Sequence, residues 1–255
     1  MTSFHDGECA RESDGSHRAA QGPGRARRER FFDNYGADLI NWDVMQLAQI
    51  ERRSQMATLM SLVAARSGQL LVPGTLASDL GLPRPTVVRY VSLLEEVFLV
   101  KRIPAWSRNL SSRAVASAKV AMVDSGIAAN LLGQSARRLP RPDGALGHLL
   151  EGFVAMEIAR QLTWSATRAG LYHYRTKDGV EVDLILENRL GQVIAIEVKS
   201  STTIRGEDFR GLSHVRDRIG DDFLAGYVLY LGEHALTFGD RLRALPLSAL
   251  WTTPA

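Results

Sequence analysis

The sequence has a single cysteine, Cys9, and no long run of apolar residues. One cysteine cannot form an internal disulfide, and a free thiol suits a reducing compartment. A membrane helix needs about 18 or more apolar residues in a row, and the polar first 30 residues do not resemble a secretory signal. We therefore expect a cytoplasmic protein with no membrane partner.

The chain also has little net charge, +3 at pH 7 from 31 basic and 28 acidic residues. Composition alone therefore does not indicate a nucleic-acid-binding protein. The basic residues are unevenly distributed, however. The segment from Val97 to Val123 has no acidic residue and five basic ones, Lys101, Arg102, Arg108, Arg113 and Lys119. Such a run can collect phosphates, but an ordinary solvated surface has the same composition, so both interpretations stay open.

Composition and apolar spacing divide the chain into three regions. Residues 1–30 are rich in Gly, Ser, Arg and Glu, and we expect a disordered tail because they have few apolar side chains to bury. Residues 31–118 carry apolar side chains mostly at helical spacing, which predicts a helical, winged-helix-like domain. Residues 119–255 alternate between helix and strand patterns, which predicts an α/β domain with a mixed central sheet.

Within the first domain, the stretch from Thr75 to Ile103 is typical of a helix-turn-helix followed by a wing. A short helix, a Gly-Leu-Pro turn at residues 81–83, a second helix and a β-prone segment follow one another. If this module binds DNA, exposed positions of the second helix face the groove and nearby basic residues face the backbone. The groove candidates are Arg84, Thr86, Arg89 and Tyr90, and the backbone candidates are Lys101, Arg102 and Arg108. The same fold also serves as a packing or dimerising module, so a structural role stays open.

The second domain has the predicted order α-β-β-β-α-β. The elements are a helix over 145–163, strands over 171–176, 180–187 and 192–199, a helix over 205–219 and a strand over 225–231. In the first of these helices Glu151 is in register with Val154 and Ile158 on the apolar face. A buried carboxylate needs a cation, a donor or a water-filled pocket, so Glu151 is a candidate site residue.

Two more carboxylates fall on the hairpin that follows. Alternation puts Val182 and Leu184 on one face of a strand and Asp183 on the other. Pairing that keeps the apolar faces together matches odd-numbered residues with odd-numbered ones. Closure of the turn through residues 188–192 then sets Asp183 directly across from Glu197. Like charges directly opposite each other destabilise a sheet, so this arrangement favours a metal ion that binds both.

The candidate metal site has oxygen ligands only. The predicted ligands are the carboxylates of Glu151, Asp183 and Glu197 and the carbonyl of Val198. Such a set suits Mg²⁺ or Mn²⁺ rather than zinc. Lys199, on the same face as Glu197, can polarise an attacking water or stabilise charge on a phosphate. Arg175 is a candidate to hold a phosphate nearby, with an ordinary exposed strand residue as the alternative.

These residues carry a family resemblance. Glu151, Asp183 and the run Glu197-Val198-Lys199, in an α-β-β-β-α-β frame, resemble the core of the PD-(D/E)xK nuclease superfamily. The segments LLEGFV (149–154), YRTKDGVEVD (174–183) and IEVKSS (196–201) are more closely similar to a domain of unknown function that forms the C-terminal half of many prokaryotic AAA-type ATPases. The resemblance extends from about residue 31 to the C-terminus. It implies that Glu151, Asp183, Glu197 and Lys199 are metal-binding and catalytic.

The sequence departs from that family in two ways. It has no G-x-x-x-x-G-K-[ST] loop, so we expect no ATP site in this chain. Asn41-Trp42-Asp43 also stands where the family usually has Glu-Arg-Asp. We therefore expect a truncated or split member, with an ATPase or other protein partner supplied in trans.

Two functions are consistent with this sequence. The first is a metal-dependent endonuclease of PD-(D/E)xK type that hydrolyses DNA with an activated water. The second is a non-catalytic regulator that binds DNA or protein and retains the nuclease fold. The four intact site residues favour the first function, and the missing ATPase domain favours the second.

Overall fold

The computed structural model describes residues 53–109, 111, 113 and 116–252. This part of the chain is mixed α/β, with six α-helices and a mixed six-stranded sheet. The tail expected over residues 1–30, the Asn41-Trp42-Asp43 run and the helical pattern before residue 53 lie outside the described residues.

The first part of the fold, as far as it is described, has four α-helices and two short strands of known bounds. They are α1 (Arg53–Ala64), α2 (Pro73–Leu80), α3 (Arg84–Glu96), β1 (Val100–Ile103), β2 (Lys119–Met122) and α4 (Ser125–Leu131). Helix α2 ends at Gly81, whose positive φ of 62° lets its amide bond back to the helix, and a proline lies in the first turn of α3. The predicted order of helix, turn, helix and strand is therefore present.

Tyr90 corrects one prediction for α3. It was expected on the exposed face, but only 6% of it is exposed. The cause is its helical register, because Tyr90 follows Val87 by three residues and precedes Leu94 by four, and all three belong to the same core. Its ring therefore serves packing and is not available to a DNA groove.

The second part of the fold contains two helices and six strands. They are α5 (Leu146–Trp164), β3 (Ala169–Arg175), β4 (Glu181–Asn188), β5 (Val193–Lys199), α6 (Arg210–Ile219), β6 (Phe223–Tyr230), β7 (Leu236–Thr237) and β8 (Leu242–Pro246). The predicted α-β-β-β-α-β order is confirmed, and β7 and β8 extend it. Short 3₁₀ helices span Gly206–Phe209, Gly220–Asp222 and Leu247–Leu250.

The six strands form one sheet in the order β3-β4-β5-β6-β8-β7. Strands β3, β4 and β5 are antiparallel, whereas β6 runs parallel to β5 and to β8. Between β4 and β5, Leu184 lies opposite Ile196, and Ile185 opposite Ala195. Odd positions therefore match odd positions, as predicted. The ladder ends at Leu184, and the same register continued by one residue sets Asp183 opposite Glu197.

A β-bulge interrupts β4 at Asp183. Tyr172 of β3 pairs with Ile185, but Tyr174 pairs with Val182, so β4 has one residue more than β3 in this interval. As a result Val182 packs in the core beside α6, and Leu184 in the core beneath α5. The prediction that Val182 and Leu184 share a face is wrong, because the extra residue breaks the period of two.

Three apolar cores hold these elements together. The first lies among α1 to α4, the second between α6 and the sheet, and the third between α5 and the opposite face of the sheet. Strands β1 and β2 pair with each other across the expected domain boundary at residue 118. Val100 and Met122 of these strands enter the first core, while Ile103 and Ala121 enter the third. The small sheet thus physically joins the two parts.

None of the helices that the structure describes is both long enough and apolar enough to cross a bilayer.

Removing a buried side chain from the second core tests this packing. Leu212 of α6 is 0% exposed, and we expect Leu212→Ala to lower the free energy of unfolding by about 2–5 kcal/mol. Leu190, in the turn between β4 and β5, is 80% exposed, and the same change there should stay within about 0.5 kcal/mol. Urea denaturation followed by circular dichroism measures both, and equal losses would contradict the assigned core.

Candidate active site

A cleft of about 440 Å³ opens where β4 and β5 approach α5. The predicted residues Glu151, Asp183, Glu197 and Lys199 all line it, together with Val198 and Arg175. The remaining lining residues are Gly68, Gln69, Leu70, His148 and Glu181. The structure therefore brings the four predicted residues to one place, and adds a wall from the loop that follows α1.

A second cavity, of about 260 Å³, adjoins this cleft. It shares Glu181, Glu197 and Lys199 with the cleft and extends to Arg210 at the start of α6. Lys199 therefore lies between the two cavities and lines both of them.

Glu151 is placed by α5 and by close contact with Gly68. Its helical neighbours Val154 and Ile158 are buried in the third core, while Glu151 itself is half-buried at the cleft. A Cβ atom added at Gly68 would lie 2.9 Å from the Glu151 Cβ and 3.1 Å from its Oε2. Gly68 also has a φ of +86°, which favours glycine. The loop can approach Glu151 this closely only because residue 68 has no side chain.

The same loop is tied to β2 by hydrogen bonds. The Gly68 amide donates to the Val120 carbonyl at 2.8 Å, and the Val120 amide donates to the Gln69 carbonyl at 2.9 Å. The Met122 amide donates to Ser67 Oγ at 3.1 Å. Residues 67–71 and β2 therefore form one unit beside the cleft.

Asp183 is held by two donors. The Val198 amide donates to its Oδ2 at 3.0 Å, and Lys119 Nζ donates to its Oδ1 at 3.0 Å. Lys119 Nζ also lies 2.9 Å from Glu181 Oε1. The Lys119 side chain, from β2, is only 3% exposed, so its charge is enclosed between two carboxylates.

Electrostatics keep this lysine charged. Burial by itself lowers the pKa of Lys119, but the negative charges of Asp183 and Glu181 outweigh burial and raise the pKa above its ordinary value. Burial raises the pKa of Glu181, yet the charge and hydrogen bond of Lys119 bring it below its ordinary value. The pair is therefore an ion pair at neutral pH.

Glu197 and Glu151 have the opposite tendency. Burial, and then the charge of Asp183, raise the pKa of Glu197 to about 7, although Lys199 opposes them. Burial and the charge of Asp183 likewise raise the pKa of Glu151 to about 8. The negative charge of the carboxyl groups at the cleft is therefore only partly balanced by the nearby lysines.

Within the described part of the chain, Glu197 is hydrogen-bonded through one oxygen only. Its Oε1 accepts from Lys199 Nζ at 2.9 Å. Its Oε2 is buried and has no hydrogen-bond partner among the residues that the structure describes. Buried acceptors are seldom left unpaired, so this atom calls for a donor or a cation.

The donor chemistry of the cleft fits a hard divalent cation, because the available ligands are carboxylate and carbonyl oxygens. The free Oε2 of Glu197 is an acceptor that such a cation would satisfy. Within residues 53–109 and 116–252, however, no three His, Cys, Asp or Glu side chains are gathered closely enough to form a metal cluster. The Asp183 oxygens are engaged by Lys119 and by the Val198 amide.

The predicted DNA-contacting residues lie in different environments. Arg84, Arg89 and Lys101 are exposed on the first part of the fold. Arg102 donates to Glu95 at 2.6 Å, so its charge is already balanced. Arg108 forms an ion pair with Asp222 of the second part, and Arg175 with Glu181 at the cleft. Whether any of them contacts DNA stays a prediction.

Sequence reasoning missed two residues of the site, Glu181 of the cleft and Lys119 behind it. Lys119 was counted only as part of a basic run, although a lysine at the start of the apolar strand Val120-Ala121-Met122 is a sign of a buried charge that needs a partner. Glu181 lies two residues before Asp183 on the same strand, and this spacing could have associated it with the site.

Comparison with known families finds two matches. Residues 146–250 match a domain of unknown function, DUF4143, and residues 18–138 match another, DUF8612. The first covers α5 and the six-stranded sheet, and hence every predicted catalytic residue. The gap between the matches falls in the segment that joins α4 to α5.

The curated relatives are uncharacterized proteins. Rv2008c of Mycobacterium tuberculosis and Mb2031c of Mycobacterium bovis are each 28% identical to this chain over 223 residues, or 87% of its length. The aligned region is 48% of each relative, so the chain spans about half the length of these proteins. No solved structure is significantly similar.

The raised carboxyl pKa values predict a pH dependence of stability. Between about pH 5 and pH 8 the folded protein holds more protons on Glu151 and Glu197 than the unfolded chain, so the free energy of unfolding should fall as the pH rises. Glu151→Gln should make this fall shallower, because the amide cannot lose a proton.

Urea denaturation in a chelator at several pH values measures this slope. Glu207→Gln, at an exposed glutamate, is the matched control and should leave the slope of the unaltered protein in place. An unchanged slope in Glu151→Gln would contradict the assigned burial of this carboxyl group.

Proposed function

We propose that the cleft binds Mg²⁺ or Mn²⁺ and hydrolyses phosphodiester bonds in DNA. The observation that carries this proposal is the convergence of Glu151, Asp183, Glu197 and Lys199 on one cleft. The unpaired Oε2 of Glu197 and the raised pKa values of two carboxyl groups support it, because a bound cation would relieve both. The resemblance of these residues to a PD-(D/E)xK nuclease core points to the same chemistry.

The carboxylates of Glu151, Asp183 and Glu197 and the carbonyl of Val198 would hold the cation. A bound divalent cation supplies an activated water at neutral pH and neutralises charge on the phosphate. The backbone of β4 and β5 fixes the oxygen ligands from these strands in place, since rigid elements hold a site more accurately than loops do.

Lys199 and Arg175 supply the positive charge that a phosphate needs. Lys199 Nζ is held by Glu197, and one-third of the Lys199 side chain remains exposed. The ammonium can therefore donate to a phosphate oxygen as negative charge develops. Arg175 is half exposed at the cleft and can bind a phosphate through two parallel N–H donors. The adjoining cavity gives a strand room to continue beyond Lys199.

DNA is the proposed substrate, and a protein partner is part of the proposal. Exposed Arg84, Arg89 and Lys101 offer phosphate contacts on the first part of the fold. The curated relatives are about twice as long as the aligned region. The resemblance of this chain to the C-terminal half of AAA-type ATPases makes an ATPase or another protein a candidate partner.

One observation favours a second function, a non-catalytic regulator that keeps the nuclease-like fold. Lys119 already neutralises Asp183 and Glu181 at hydrogen-bonding distance. In the regulator this ion pair is the permanent counter-charge of the cleft, and the protein binds DNA or protein without cleaving it.

A cleavage assay separates these two functions. We expect the protein to nick supercoiled DNA in Mg²⁺ or Mn²⁺, and Asp183→Asn and Lys199→Ala each to reduce the rate about 100-fold or more. Asp221→Asn, at an exposed aspartate remote from the cleft, is the matched control and should cleave normally. DNA binding without cleavage in either cation, and without any calorimetric metal binding, would refute the enzyme and leave the regulator.

DNA affinity should depend on different residues. Neutralising Arg89 and Lys101 together, as Arg89→Gln with Lys101→Gln, should weaken DNA binding and reduce the slope of log affinity against log salt by up to about one unit for each phosphate interaction removed. Asp183→Asn should preserve or raise affinity, because a carboxylate near phosphate loses its charge. Fluorescence anisotropy at several salt concentrations measures this. Arg243→Gln, an exposed arginine on β8, is the control, and an equal loss in it would argue against a specific interface.

A further inference from the structure

Lys119 contacts two residues that line the cleft, although it does not come from the six-stranded sheet. It begins β2, which pairs with β1 in the small sheet. Its ammonium nevertheless reaches Asp183 and Glu181 at 3.0 and 2.9 Å, with 3% of the side chain exposed. One part of the fold thus inserts a positive charge into the acidic site of the other.

The backbone around Lys119 is fixed on both sides. It lies opposite Ile103 of β1, and on its other side it forms an isolated bridge with Leu70. The neighbouring Ala121 is buried in the third core. The backbone that carries the Lys119 ammonium is therefore anchored on both sides, and this fixes the position of the ammonium beside Asp183.

The contact has a consequence for any cation in the cleft. Asp183 uses Oδ2 for the Val198 amide and Oδ1 for Lys119, so an incoming metal ion meets an oxygen that is already neutralised. An ammonium and a divalent cation at neighbouring positions repel each other strongly where water is scarce.

We propose that Lys119 is an internal counter-ion that competes with a divalent cation for Asp183 and thereby lowers the metal affinity of the cleft. This inference rests on the proposed function, since it concerns the same site. It assigns to Lys119 a positioning role: the residue acts through Asp183, and its effect is seen in metal binding as well as in cleavage.

Metal titration of charge variants tests the inference without using activity. Mn²⁺ is titrated calorimetrically into the full chain, into Lys119→Met, which keeps the length of the side chain, and into Lys119→Gln, which keeps an N–H donor for Asp183. We expect both variants to bind Mn²⁺ about tenfold or more tightly than the unaltered protein.

Two further variants separate this contact from a general change of charge. Arg175→Met removes a positive charge from the same cleft but leaves the partners of Asp183 in place, and it should change the affinity less than about threefold. Lys177→Met makes the same chemical change at an exposed position in the turn between β3 and β4, and should bind Mn²⁺ as the unaltered protein does.

The outcomes distinguish this inference from the proposed function. If the unaltered protein binds Mn²⁺ and both Lys119 variants bind it no more tightly, the inference is overturned and the proposed function stands. If only the Lys119 variants bind Mn²⁺, the inference holds and the unaltered chain alone is not a metal enzyme. Binding by none of them overturns both. Failure of both Lys119 variants to fold, seen by thermal unfolding, would assign the residue a structural role and also overturn the inference.

Discussion

The ion pair of Lys119 with Asp183 and Glu181 is the interaction on which the cleft depends. Four carboxylates around one cavity repel each other, and the folded chain contains that repulsion by burying an ammonium among them. The same contact joins the small sheet to the large one. Removing either partner would leave a buried charge without its counter-charge, so this contact affects both the stability of the local fold and the electrostatics of the site.

The bulge in β4 gives the site its shape. A regular strand would have placed Val182 and Leu184 on one face, but the extra residue at Asp183 sends them into different cores. The Asp183 carboxylate then accepts a hydrogen bond from the Val198 amide, just beyond the end of the β4–β5 ladder. Bulges often redirect side chains next to functional sites. This bulge contains Asp183, whose side chain lines the cleft.

Much of this arrangement could be predicted from the sequence, because helical and strand periods are local. The order of elements from α5 to β6 and the odd-with-odd pairing of β4 with β5 follow from patterns within single segments. The bulge could not be predicted, since nothing in the alternation of β4 marks the extra residue. The Lys119–Asp183 contact was also missed, because it joins residues 64 positions apart. Tyr90 was assigned to the exposed face as a polar residue, although its helical register places it with Val87 and Leu94 in the core.

The close approach of residues 67–71 to α5 has a consequence for the variation of this chain over evolution. A Cβ atom at Gly68 would meet Glu151, and one at Gly152 would lie 2.3 Å from Ser67 Oγ. Neither position can gain bulk unless the opposite element gives way. Substitutions in the loop and in this turn of the helix should therefore appear together in related proteins. Recombination between relatives that separates residue 68 from residue 152 would join halves that do not fit.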